Sequence, residues 1–81
     1  MRIVIQLFAG ARDAVGAPTV EVDVPAGGTV GDLEAACLRI APRLQDWMGR
    51  SLWAVDGEYA ARTTVIAAGA DIALVPPVSG G

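Results

Sequence analysis

The chain opens with apolar and polar positions in alternation. Ile3, Ile5 and Leu7 interleave with Val4, Gln6 and Phe8, a period of two that predicts a strand over residues 2–8 with at least one buried face. The pattern returns more cleanly after a connection at residues 9–18, where Val20, Val22 and Val24 alternate with Thr19, Glu21 and Asp23. A second strand, half buried and antiparallel to the first, is expected there. Pro25-Ala26-Gly27-Gly28 then breaks the period. Thr29, followed three residues later by Asp32, reads as a capped helix start. Val30, Leu33, Cys37, Ile40 and Leu44 recur at steps of three and four, which places them on one helical stripe. Pro42 ends or kinks that helix.

Residues 52–55 predict a third strand, and Asp56-Gly57 is a hairpin signal leading into a short fourth strand at Glu58-Tyr59. Thr63 to Ile66 is β-branched and apolar but stands before a turn at residues 67–71, so strand and loop both fit it. Ile72-Ala73-Leu74-Val75 is a final strand. Pro76-Pro77 cannot donate to a ladder, so the sheet must release the chain there. The expected order β-β-α-β-β-β is an α+β layer pair, a mixed and mostly antiparallel sheet packed on one main helix. It suits the ubiquitin-like β-grasp, with a domain over residues 1–75 and an extended tail over residues 76–81.

Composition narrows the chemistry. Eighty-one residues imply one small domain, and 53% hydrophobic residues supply its core. The apolar runs fall well short of the roughly 20 residues that cross a bilayer. The first residues lack the layout of a cleavable leader. No membrane association is expected, and the cytoplasm is the expected compartment. No histidine is present, which removes Ser-His and Cys-His pairs and imidazole metal ligands. One cysteine, Cys37, allows no internal disulfide and no thiolate cage, so no metal site is expected. The net charge of -3 has the wrong sign for wrapping phosphate backbones, so no nucleic-acid partner is expected. All six basic residues are arginine.

The ending Pro76-Pro77-Val78-Ser79-Gly80-Gly81 is the stretch hardest to explain by packing. Six extended residues reach roughly 20 Å, enough to enter another protein's active site. A carboxylate on Gly81 is a poor electrophile. Adenylation by ATP would turn it into an acyl phosphate anhydride that a sulfur nucleophile attacks, leaving a thiocarboxylate. Glycine adds no bulk beside that carbonyl and permits backbone conformations closed to other residues.

Four stretches together resemble a known family: Phe8-Ala9-Gly10-Ala11-Arg12, Thr29-Val30-Gly31-Asp32-Leu33, Ala54-Val55-Asp56-Gly57, and the run from Gly69 through Val75 to Gly81. They look like the small, sulfur-carrying subunit of molybdopterin synthase, and the Pro-Pro-Val-Ser-Gly-Gly ending is the most specific part. The resemblance implies that Gly81 is adenylated by a ubiquitin-activating-like enzyme using ATP and then sulfurated from a sulfur donor protein. Its sulfur would form the dithiolene of molybdopterin from cyclic pyranopterin monophosphate. It also implies that the tail enters the large synthase subunit, in a heterotetramer of two small and two large subunits. By the same resemblance Phe8, Tyr59 and Val75 fall at apolar partner-contact positions and Arg12 at a basic one. The chain would then be a protein cosubstrate, not a catalyst by itself and without a bound cofactor. Asp56 departs from the family's frequent Asn, and Val75 from a bulkier apolar residue. Cys37, on the apolar stripe, reads as a buried structural thiol, and Trp47 and Trp53 as core mass. The rival readings are a carrier for thiazole, cysteine or another sulfur-containing product, a ubiquitin-like modifier joined through Gly81 to lysines of other proteins, and a plain interaction module with an inert tail.

Overall fold

A computed structural model of the protein describes residues 1–76. The β-branched alternation produces strands β1 (Arg2–Leu7) and β2 (Thr19–Asp23), followed by β3 (Leu52–Val55), β4 (Glu58–Tyr59) and β5 (Ile72–Val75). They form one sheet in the order β2-β1-β5-β3-β4. Ile3 faces Val22 across the antiparallel β1–β2 pair, whereas β5 runs parallel to β1 with Leu7 beside Leu74. On its other side β5 pairs antiparallel with β3, setting Val75 against Leu52 and Ala73 against Ala54. The mixed, mostly antiparallel sheet and its covering helix are the architecture the sequence pattern predicts, a ubiquitin-like β-grasp. The Asp56-Gly57 hairpin closes with both residues at positive φ, 52° and 82°, the type I′ geometry that glycine makes cheap.

Helix α2 (Val30–Ile40) covers one sheet face. Its start is fixed by a complete capping box: Thr29 Oγ1 accepts from the Asp32 amide at 3.3 Å, and the Thr29 amide donates to Asp32 Oδ2 at 2.9 Å. Such a cap contributes about 1 kcal/mol. Val30, Leu33, Ala36 and Cys37 are buried beneath it against Ile5, Ile72 and Leu74 in a single core. Ile40, which the stripe also assigns to that core, is instead 60% exposed. Its angle on the helix is right, but it is the last helical residue, beyond the apolar surface its neighbours cover. Pro42 does not simply end the helix. It starts a 3-10 turn, Pro42–Leu44, that runs into a short helix α3 (Gln45–Met48) and returns Leu44 and Met48 to the core.

Residues 9–18 hold a difference from the sequence expectation: Ala9–Val15 forms a helix, α1, that the periodicity does not show. Only Ala11 of it is buried, and its first residue, Ala9, has φ 47°. Tertiary packing holds it. The Trp47 ring lies so close to Gly10 that a Cβ there would clash with Trp47 Cη2, and the Arg50 guanidinium sits 5.1 Å from the ring centroid. The open assignment at Thr63 to Ile66 also resolves. It is not a strand but a loop zipped to the start of α2, with one isolated bridge between Thr29 and Val65. The amides of Val30 and Gly31 donate to the carbonyls of Thr64 and Arg62, each at 2.9 Å, which satisfies donors that a helix start otherwise leaves free.

Candidate functional site

Because side chains alternate across a strand, the residues not used by the core collect on the sheet's other face. There they divide into two regions. Toward β2 the face is polar: the Arg2 Nε donates to Asp23 Oδ1 at 2.9 Å, its Nη1 lies 3.6 Å from Glu21, and the Gln6 amide donates to Asp71 Oδ1 at 2.7 Å. Toward the exit of β5 the face is apolar. Val75 and Leu52 share a row, and Tyr59, Ala54 and Ala73 form the next. Phe8 stands one step past the last β1–β5 pair in extended conformation, φ −133° and ψ 156°, which keeps it on the Gln6 side, level with Val75.

Three of the four contact residues read from the sequence, Phe8, Tyr59 and Val75, are thus brought onto one face. Val75 is half-buried, while Phe8 is 42% and Tyr59 66% exposed. Leu52, 55% exposed beside Val75, belongs with them and was not singled out by the sequence reasoning; its strand parity with Ala54 is the signal that finds it. Val4, exposed on the same face, pairs with Glu21 and lies two rows from Phe8, on the polar side of Gln6. Arg12 lies on α1 rather than in a loop. It is exposed, and its amide donates to the Phe8 carbonyl at 3.3 Å, so it sits one helical turn beyond Phe8. The Gly10–Trp47 seat therefore places Phe8 and Arg12 together.

Pro76 follows Val75 directly and is the first residue released from the sheet. Pro77, Val78, Ser79, Gly80 and Gly81 lie outside the described residues. Where Pro76 leaves, the chain passes from the middle strand of the sheet to the border of the apolar patch.

Cys37 is fully buried, and burial, aided by the nearby Glu34 carboxylate, pushes its thiol up to about 11. It is not placed to carry sulfur. Glu34 is occupied: the Trp53 indole N–H donates to Oε1 at 3.2 Å, and Arg62 Nη2 reaches Oε2 at 3.1 Å, tying α2 to β3 and to the loop after β4. Trp53 is core, as read from the sequence, and Trp47 is half-buried under α1. Among the described residues no three acidic or thiol side chains converge to hold a metal ion, and no helix is long and apolar enough to cross a membrane.

The sequence matches the ThiS family over residues 5–81. It is 38% identical over 84 aligned positions to small archaeal modifier protein 1 of Haloferax volcanii, covering 94% of this chain and 97% of that protein. To the molybdopterin synthase sulfur carrier subunit of Mycobacterium tuberculosis it is 33% identical over 82 positions, covering 100% of this chain and 99% of that one. The crystal structure of SAMP1 from Haloferax volcanii superposes with a TM-score of 0.89 at 36% identity, with 100% of both chains covered.

Proposed function

This chain belongs to the ThiS family, and on that premise we propose that it carries sulfur for molybdenum cofactor biosynthesis as a thiocarboxylate on Gly81. The observation that carries the reading is the family match running to Gly81, beyond a strand whose exit borders an apolar face. In the first step a Gly81 carboxylate oxygen attacks the α-phosphorus of ATP on a ubiquitin-activating-like enzyme, and pyrophosphate leaves. A persulfide on a donor protein then attacks the carbonyl carbon and AMP leaves; a second thiol attacks the donor-side sulfur of the resulting acyl disulfide, so a disulfide forms on the donor side as the thiocarboxylate leaves. Residues 1–75 act as the docking body and residues 76–81 as the inserted arm. Phe8, Leu52, Tyr59 and Val75 seat the body on the large synthase subunit, with Arg12 at the rim, in an assembly of two small and two large subunits. Pro76, Pro77, Val78, Ser79 and Gly80 thread toward a partner site holding cyclic pyranopterin monophosphate. No side chain of this chain performs catalysis, and the cytoplasm is the compartment proposed for the work.

Incubation with the activating enzyme, ATP and a sulfur donor should raise the intact mass by exchange of one oxygen for one sulfur, at Gly81. A change that maps to Cys37 would defeat the mechanism. Gly80→Ala sharpens the test, because it keeps the Gly81 carboxylate but widens the arm. Affinity for the large subunit should hold while turnover of pre-formed thiocarboxylate falls on the order of 100-fold through misplacement of the reacting atom.

A second reading has its own support in the likeness to small archaeal modifier protein 1. A modifier would use the same adenylate and pass the acyl group to lysines of other proteins. Blotting cell extracts for this chain separates the two: one small band fits the carrier, a ladder of conjugates the modifier.

A further inference from the structure

We propose that the activated chain is inert toward the side chains of its own kind: no side chain among residues 1–76 of a folded copy accepts the acyl group of Gly81, so copies do not branch onto one another. This rests on the activation reading above and holds for carrier and modifier alike. An acyl adenylate is opened by an unprotonated amine, a thiolate or a hydroxyl with a base beside it. With an amine, the N–C bond forms as the C–O bond to AMP breaks, AMP leaves, and the proton passes to solvent.

Among the described side chains each of these nucleophiles is missing or withheld. The six basic residues, Arg2, Arg12, Arg39, Arg43, Arg50 and Arg62, are all guanidinium groups, which stay protonated and do not attack acyl carbon, and no lysine occurs in the 81 residues. The Met1 amine is a backbone group, part-buried and donating to the Val24 carbonyl, and acetylation removes it from the test. The one thiol, Cys37, is 0% exposed under α2. Burial also disfavours its thiolate. Hydroxyls remain, but the sequence contains no histidine to serve as their base.

Fold requirements account for part of the arginine usage and leave the rest open to test. Arg2 reaches two carboxylates, Arg62 contacts both oxygens of Glu34, and Arg50 lies over Trp47 while its Nε donates to the Asp46 carbonyl at 3.1 Å. Arg39 and Arg43 are exposed and make no ion pair among the described residues. A lysine there keeps the charge, disturbs no contact and supplies an amine.

The test installs the activated end chemically, as a thioester on Gly81 of the full chain, so that it does not depend on any activating enzyme. Folded protein with its Met1 amine acetylated should give no chain–chain adduct at pH 8. Arg39→Lys and Arg43→Lys should each fold identically by circular dichroism and form an amide at the new lysine, with a mass of two chains less the leaving thiol. Unfolding in guanidinium chloride frees Cys37 and lowers its pKa from about 11 toward about 8.5, raising the thiolate fraction at pH 8 on the order of 100-fold. Chain–chain thioesters at Cys37 should then appear, and Cys37→Ala should abolish them. An adduct on the folded, acetylated chain of natural sequence overturns the proposal. So does a failure of both lysine variants and the unfolded chain to react, since the block would then lie in the acyl group and not in the missing nucleophiles. Failure of the functional reading shows separately, as absence of any ATP-dependent mass change with the activating enzyme.

Discussion

The two faces of the sheet are made from the same strands and obey the same alternation, yet they do opposite work. On the covered face Ile5, Ile72 and Leu74 are each 0% exposed and interlock with α2. On the open face the neighbouring residues Leu52, Tyr59 and Phe8 keep roughly half of their surface in water. A domain of this size rarely leaves large side chains exposed side by side unless something covers them. The difference shows that stability and partner contact are written on alternate positions of the same strands, so one residue's parity decides which property a substitution changes.

That division can be broken from either side. Leu74→Ala should cost about 2–5 kcal/mol, since the cavity lies where α2 and the sheet cannot collapse around it; urea denaturation measures it. A loss below about 1 kcal/mol would mean the covered face is not the tightly packed core described here. The helix that covers this face adds a pH signature. Burial raises the Cys37 pKa from 9.0 to about 11, so the folded state favours the neutral thiol. Its contribution is fully present below pH 9 and fades as the pH climbs through 11. The urea midpoint of the natural chain should therefore fall more steeply between pH 8.5 and 10.5 than that of Cys37→Ala. Leu52→Ser, on the open face, should change stability by no more than about 0.5 kcal/mol. On the proposed function, its affinity for the large synthase subunit, measured by calorimetry, should fall about tenfold or more. Equal losses of stability from Leu74→Ala and Leu52→Ser would erase the distinction. Arg2→Ala should have the smallest effect, within about 0.5 kcal/mol and vanishing at high salt, because its ion pairs are exposed.

What could be read from the sequence follows from how local each signal is. The valines at alternate positions of β2 and the Thr29-Asp32 box are satisfied within a few residues, so strand and helix start were both legible. The parallel pairing of β1 with β5 joins residues far apart in the chain and has no local mark. Helix α1 was hidden because Ala9-Gly10-Ala11-Arg12 carries no apolar stripe; the Trp47 ring that holds it comes from a distant segment. The candidate site divides the same way. Phe8, Tyr59 and Val75 came from family resemblance, while their common face needed the strand register. Leu52 was missed because the importance of an exposed leucine appears only when its cross-strand neighbour is known.

The position of β5 also matters mechanically. It is held on both sides, parallel to β1 and antiparallel to β3, and it is the strand from which the chain departs at Pro76. Traction applied along that departing segment pulls lengthwise on both ladders, so their hydrogen bonds are strained together in shear instead of parting one at a time. A hauling machine that grips this end meets the fold in its most resistant direction, whereas the same force on β4, a two-residue edge strand, would peel it away first.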